Sequence, residues 1–204
     1  MNPWRSYIMS YQDYVVTRPK VEEVATDILC IEFWKPEFCR AIVNAADQIN
    51  QYESRPTDPV PGQELRIDKI SPDLYRSFCK HWKMTVQPVL EGYYMLPSVQ
   101  WFMGWRVPFI IKYEMHKQRH LRPHMDGSLV TGTVRLSDEY TGGDLVFPRQ
   151  KYRNTAVPVG SMLVWPSSIQ HIHYSDQLLS GTKYSLVAWT KNDPREDGIN
   201  YGDV

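Results

Sequence analysis

From Val99 to Thr190 the apolar residues come in short β-rich stretches, and turn formers separate one stretch from the next. Candidate strands are Gln100–Trp105, Pro108–Glu114, Leu129–Leu136, Asp144–Phe147, Ser161–Trp165, Gln170–His173 and Tyr184–Thr190. Tyr140-Thr141-Gly142-Gly143-Asp144 and Pro158-Val159-Gly160 punctuate them as turns, Gly supplying backbone freedom and Pro a preset φ. Short strands at even spacing leave few ways to bury one face of each. The pattern predicts a mainly β fold, a double-stranded β-helix (jelly roll).

Upstream the texture changes. Ala25 to Trp34 reads as a strand, with Ile28, Cys30, Ile31 and Phe33 apolar. Pro36 opens a helix, and Phe38, Ile42, Val43, Ala46 and Ile49 recur on one face until it ends near Tyr52. Residues 53–64 carry Pro56, Pro59, Pro61 and Gly62 among polar neighbours, which makes them a loop and a candidate lid. A short strand is expected over Leu65–Ile70. Ser71-Pro72-Asp73 then starts a second helix as N-cap, N1 proline and an acid at the positive end. Leu74, Phe78, Trp82 and Val86 form its buried face, and Pro88 is expected to kink or end it.

These elements predict a single domain over 1–204. Residues 1–98 supply an N-terminal arm (Trp4, Tyr7, Tyr11, Tyr14) and helices packed on one sheet. Residues 99–192 form the jelly-roll core and 193–204 a tail. Lys plus Arg equals Asp plus Glu at 23 each, which gives no signal for nucleic acid or an acidic membrane surface. No apolar run is long enough to span a membrane. Three widely spaced cysteines, Cys30, Cys39 and Cys79, read as reduced thiols. With no apolar leader at the N-terminus, a cytoplasmic location is expected. The sequence does not reveal an oligomeric state.

Two stretches carry chemistry. Arg122-Pro123-His124-Met125-Asp126 holds a His and an Asp two residues apart, just ahead of a β run. One such pair alone is more often a turn hydrogen bond than a metal site. At a strand end, however, alternate residues face the same side, so His124 and Asp126 can aim at one point. A third donor has to come from a strand distant in sequence. His171 and His173 both qualify, and strand parity puts both on one face. Two imidazoles and one carboxylate on one face of an octahedron leave three positions open, the facial triad of non-haem Fe(II) oxygenases. The working expectation is an Fe(II) centre that takes 2-oxoglutarate, and the far carboxylate of that cosubstrate would need a buried cation. Lys183 sits in an otherwise apolar strand, as either that cation or an outward solvated lysine, and Ser185 shares its face. Arg122 at the entrance and Arg135 beside Thr133 are candidates for a substrate carboxylate, or else structural ion pairs. His116 and His120 read as a surface loop, His81 as helix packing, and Trp101, Trp105, Trp165 and Trp189 as core.

The set Lys112-Tyr113-Glu114, Leu121-Arg122-Pro123-His124-Met125-Asp126, Tyr140-Thr141-Gly142-Gly143, and His171-Ile172-His173 through Gly181-Thr182-Lys183-Tyr184 resembles the Fe(II)/2-oxoglutarate prolyl and lysyl hydroxylases. It is most like the catalytic domain of procollagen lysyl hydroxylases, over roughly residues 30–192. The resemblance implies that the second histidine of His-x-His is the ligand and that the basic residue ten positions on binds the cosubstrate. It thereby selects His173 and Lys183. Metal ligands and catalytic residues are then His124, Asp126 and His173. Tyr113 matches a position that hydrogen-bonds 2-oxoglutarate. In two places the chain departs from the pattern. Lysyl hydroxylases carry Arg at the Lys183 position, where collagen-type prolyl 4-hydroxylases carry Lys. The family's pocket Asn is Thr133 here.

The implied function is hydroxylation of an unactivated C–H bond of an amino-acid side chain, lysyl or prolyl, in a peptide or protein or as the free amino acid. The cofactors are Fe(II), 2-oxoglutarate and O2, with ascorbate in support, and the products include succinate and CO2. The retained Asp126 favours hydroxylation over halogenation, in which a small residue replaces that carboxylate. The competing expectation is a non-catalytic jelly-roll module that binds metal or sugar.

Overall fold

Two antiparallel sheets face each other across the site, and helices cover the outer face of the larger one. The computed structural model describes residues 10–54, 59–95 and 107–190. The strand expected over Gln100–Trp105, the arm residues Trp4 and Tyr7, Trp101, Trp105 and the tail from 193 lie outside them.

The chain enters through a 3-10 turn, Tyr11–Tyr14, and a hairpin of β1 (Val21–Ala25) and β2 (Ile28–Glu32). One strand was expected over Ala25–Trp34, but Asp27 adopts φ +58 and turns the chain back. A short acidic side chain tolerates that left-handed backbone. Helix α1 (Pro36–Ile49) begins at its proline and ends where Asn50 turns left-handed, its N–H reaching the Ala46 carbonyl at 2.9 Å. That is short of Tyr52. The strand expected over Leu65–Ile70 divides into β3 (Glu64–Arg66) and one helical turn, α2 (Ile67–Ile70).

Ser71 caps α3 (Pro72–His81), its hydroxyl accepting from the Asp73 and Leu74 amides. Pro88 does not end the helical run. Having no N–H to give, it is absorbed by a wider turn, Trp82–Val86, in which the Gln87 amide reaches back five residues to the Trp82 carbonyl. Helix α4 (Gln87–Tyr94) then continues to Met95, which is left-handed. Leu74, Phe78, Trp82, Val86 and Leu90 form one buried stripe that meets Val134, Met162, Val164 and Leu186 of the large sheet. Trp82 lies against Gly132, where an added Cβ would fall 2.9 Å from the indole.

The remaining strands are β4 (Phe109–Glu114), β5 (Leu121–His124), β6 (Val130–Arg135), β7 (Tyr140–Gly142), β8 (Leu145–Phe147), β9 (Tyr152–Arg153), β10 (Ser161–Pro166), β11 (His173–Ser175) and β12 (Leu178–Trp189). The large sheet runs β1-β2-β10-β6-β12-β4-β3, with β7 paired to the start of β12. The small sheet runs β5-β11-β8-β9. Three strands of the large sheet therefore come from before residue 98, so that boundary does not separate sheet from support. Tyr140–Gly142, expected as turn, pairs with β12. Only Gly142 and Gly143 turn, at φ +70 and +67. A β-carbon on Gly142 would fall 2.3 Å from the Gln177 carbonyl oxygen, so the turn requires glycine there. Gln170–His173 is not one strand. Ile169–His171 is a 3-10 turn, and β11 starts only at His173.

Candidate metal and cosubstrate site

The inner faces of both sheets enclose a cavity of about 370 Å³. β5 and β11 pair so that His124 and His173 are direct cross-strand partners, with ring centroids 4.4 Å apart. Asp126 follows two residues after β5 ends. One ligand atom from each of the three lies within 4.8 Å of the others. His124 Nε2 is 3.5 Å from one carboxylate oxygen of Asp126, and His173 Nε2 is 3.6 Å from the other.

Both rings are oriented by their far nitrogens. His124 Nδ1 donates to the Arg122 carbonyl at 2.7 Å and His173 Nδ1 to the His171 carbonyl at 3.0 Å. Each Nε2 lone pair is thereby turned to the common centre, which is how metal-binding imidazoles are held. Trp165 and Phe147 wall in the His173 ring, at centroid distances of 5.0 and 5.3 Å. Burial pushes the His173 pKa down, favouring the neutral ring. Burial alone would raise the pKa of Asp126, but the adjacent His124 and His173 and the hydrogen bond from Thr131 outweigh it and hold the pKa low. Neutral imidazoles and an ionised carboxylate are the states a divalent metal requires. The donor set fits Fe(II) with three positions left over.

Behind Asp126 stand three hydroxyls. Thr131 donates to Asp126 Oδ2 at 2.7 Å. Ser128 and Ser167 lie 3.1 and 2.8 Å from Thr131 and 2.7 Å from each other. An ionised carboxylate only accepts, so Thr131 spends its proton on Asp126 and takes one from a serine.

Lys183 lies inside, not outside, at 4 % exposure. Its ammonium donates to the Gly143 carbonyl at 2.6 Å and to Ser175 Oγ at 3.0 Å, and sits 4.7 Å from the centre of the Tyr113 ring. Burial drives the Lys183 pKa down to about 7. Ser185 and Thr133 line the same cavity, and Thr133 donates to the Leu186 carbonyl at 3.0 Å.

Other expectations divide. His171 does not share the face of His173. It is a buried residue of the 3-10 turn, within 3.4 Å of Ser168 Oγ and of the Thr26 carbonyl. Arg122 does not line the cavity and is instead hydrogen-bonded to the Pro59 carbonyl, which fastens the proline-rich loop at the mouth. Arg135 faces inward as expected, though not in an ion pair: backbone carbonyls of Ser137, Thr155 and Val157 hold it. His116 and His120 are exposed. His81 packs flat on Phe33 and is in hydrogen-bond contact with the Tyr11 hydroxyl. Trp165 and Trp189 line the cavity. Sequence reading missed Ser128, Thr131, Ser167, Ser175 and the cavity-lining acid Glu64.

No protein-family model matches the chain. In sequence it is similar to a protein of Acanthamoeba polyphaga mimivirus named procollagen lysyl hydroxylase and glycosyltransferase, at 23% identity over 206 residues, 90% of this chain and 21% of the relative. It is 24% identical over 186 residues to procollagen-lysine,2-oxoglutarate 5-dioxygenase of Drosophila melanogaster, covering 83% of this chain and 25% of the relative. The chain thus spans about a quarter or less of these relatives' length. In structure it is similar to the viral collagen prolyl hydroxylase of Paramecium bursaria Chlorella virus-1, with a TM-score of 0.62 at 16% identity over 82% of this chain and 90% of that one. That likeness establishes the jelly-roll fold. The chain is therefore similar in sequence to procollagen lysyl hydroxylases and similar in fold to a 2-oxoglutarate-dependent prolyl hydroxylase.

Proposed function

We propose that this chain is an Fe(II)- and 2-oxoglutarate-dependent hydroxylase of an amino-acid side chain borne on a peptide or protein, releasing succinate and CO2. The observation that carries this reading is the convergence of His124, Asp126 and His173 on a cavity that also contains a buried lysine with no carboxylate partner among the described residues. Bound iron supplies the activation of O2. His124, Asp126 and His173 hold it. Lys183 receives the cosubstrate's far carboxylate, and Tyr113, Ser185 and Thr133 shape the pocket around it. The walls formed by Phe109, Ile111, Val187 and Trp189 keep water away from the reacting centre.

A lysyl side chain is the favoured substrate. Glu64 pairs in register with Ile111 and lines the same cavity, so it can face an ammonium group. The names of the sequence relatives point the same way, and a prolyl side chain or a free amino acid is the other arm of the test. Three free cysteines support a reducing, cytoplasmic setting, and no described helix is long and apolar enough to cross a membrane.

The test is succinate release with Fe(II), 2-oxoglutarate and ascorbate across lysyl peptides, prolyl peptides and free amino acids. Substrate-dependent succinate with a matching hydroxylated product is expected, strongest for lysyl peptides. Absence of iron binding, or of a 2-oxoglutarate-dependent absorption band on the anaerobic Fe(II) protein, would overturn the enzyme reading in favour of a binding module.

A further inference from the structure

We propose that Arg135 is a second cation for the cosubstrate's far carboxylate, acting with Lys183. The inference rests on the cosubstrate reading above. It gives Arg135 a role at the Lys183 end of the cavity rather than in holding substrate.

The argument begins with strand register. β6 and β12 pair with Arg135 opposite Ser185, and Lys183 precedes Ser185 by two on the same face. Period two therefore turns Thr131, Thr133 and Arg135 of β6 toward the space faced by Lys183 and Ser185, and all five line the cavity. The Arg135 guanidinium lies over the Tyr140 ring, 5.2 Å from its centre. Tyr140 opens β7, the short strand that leads into the turn whose Gly143 carbonyl accepts from Lys183. The two cations thus flank one short segment, close enough that Arg135 helps to push the proton off Lys183.

Arg135 is held firmly but incompletely used. Nε donates to the Ser137 carbonyl at 3.2 Å, and Nη1 donates to those of Thr155 and Val157 at 3.0 and 2.8 Å. The two N–H groups of Nη2 have no such partner among the described residues. Lys183 likewise spends two of its three N–H groups. Among the described residues neither cation has a carboxylate partner. The nearby acid, Asp144, is engaged by Arg153 at 3.0 Å. Two cations sharing a cavity without a counter-ion repel each other, and an anionic ligand relieves that repulsion. A carboxylate there can accept from both, and the carbonyl cradle fixes the guanidinium before the ligand arrives.

The experiment is calorimetric titration of the Mn(II)-loaded protein with 2-oxoglutarate and with 2-oxopentanoate, which keeps the keto acid and lacks the far carboxylate. Arg135→Gln is expected to weaken 2-oxoglutarate about tenfold or more and to leave 2-oxopentanoate within about twofold. Arg135→Lys is expected to restore part of the loss. Equal weakening of both ligands would mean that Arg135 only braces the fold, and no change in either would mean that it does not reach the ligand. Both results overturn the inference. A wild-type protein that binds 2-oxopentanoate as well as it binds 2-oxoglutarate would remove the Lys183 reading itself and the inference with it. Melting temperatures of the metal-free variants show whether the carbonyl cradle survives each change.

Discussion

His124 and His173 stand opposite each other on paired strands, and each gives its Nδ1 proton to the carbonyl two residues before it. The same local device is used twice, once in β5 and once at the start of β11. It fixes the tautomer of each ring through a backbone carbonyl, so the aim of both imidazoles depends on backbone register. A change that slips β5 against β11 should be as damaging as loss of a ligand.

The nearby His171 separates ligand from neighbour. His173→Ala and Asp126→Ala should each abolish Co(II) or Mn(II) binding in a metal titration, because each removes one of three donors. His171→Ala should bind metal with near wild-type affinity, since His173 uses only the backbone carbonyl of residue 171. Its cost should fall on stability, about 0.5–3 kcal/mol in denaturant unfolding, because a buried side chain is deleted. Metal loss in His171→Ala with retention in His173→Ala would reverse the ligand assignment.

Thr131 gives a prediction about the carboxylate. Valine has nearly the same shape and cannot donate to Asp126 Oδ2. Thr131→Val should weaken metal binding by about 10–100-fold, the usual cost of removing a partner that orients a ligand. Thr131→Ser should recover most of it. The readout is the dissociation constant of Co(II) together with its visible spectrum, which reports ligand geometry. An unchanged spectrum and affinity in Thr131→Val would show that Asp126 is positioned without it.

Strand β6 shows how much of the site is legible in the sequence. Once Thr133 is placed inward, a period of two also turns Thr131 and Arg135 inward and gives Val130 and Val134 to the helices. The hydroxyl behind Asp126 and the second cation were therefore readable from one strand. Ser175, two residues after His173 on β11, was open to the same rule and was missed. The rule failed at His171 because residues 169–171 wind into a 3-10 turn, where period two has no meaning. Other features had no local signal. The carbonyl that receives Lys183 lies 40 residues away and the one that receives Arg122 lies 63 residues away. A chain pattern shows that a buried ammonium needs acceptors, but which carbonyls supply them depends on how the two sheets close. The helical layer was legible as a stripe, and its detail at Pro88 was not, because a missing N–H shows that the backbone must adjust but not that it does so by a wide turn at Trp82–Val86.

Lys183 makes stability depend on pH in a definite direction. Its folded pKa of about 7 lies below the ordinary 10.5. Between these values the unfolded chain carries a proton that the folded chain lacks, so the metal-free protein should gain stability as pH rises through that window. Below pH 7 both states are protonated and the cost of burying the charge is fully present. Lys183→Met removes that cost. The variant should melt above the wild type at pH 6.5, and the difference should shrink by pH 9.5. At pH 8 the wild type should take up a proton on binding 2-oxoglutarate, because the dianion restores the ammonium. Calorimetry in buffers of different ionisation enthalpy would read that uptake. Proton release, or a melting difference that grows with pH, would contradict the burial argument.

Gly132 couples the helical layer to the site. It sits between Thr131 and Thr133 on β6, facing away from the cavity, and an added Cβ would meet Trp82 at 2.9 Å and Met162 Sδ at 3.2 Å. Trp82 is fully buried, and its ring system has little freedom to give way. Gly132→Val should therefore overpack the layer and destabilise the protein by about 1–3 kcal/mol. Because strand β6 must shift to relieve the clash, Thr131 should move with it, and metal affinity should fall even though no ligand is touched. Trp82→Leu frees the space the valine needs. The double variant should be more stable than the sum of the two single changes predicts, as contacting residues are non-additive. Additive losses would show that Gly132 is not held by Trp82. A Gly132→Val protein with unchanged metal affinity would show that the site is insulated from the helices above it.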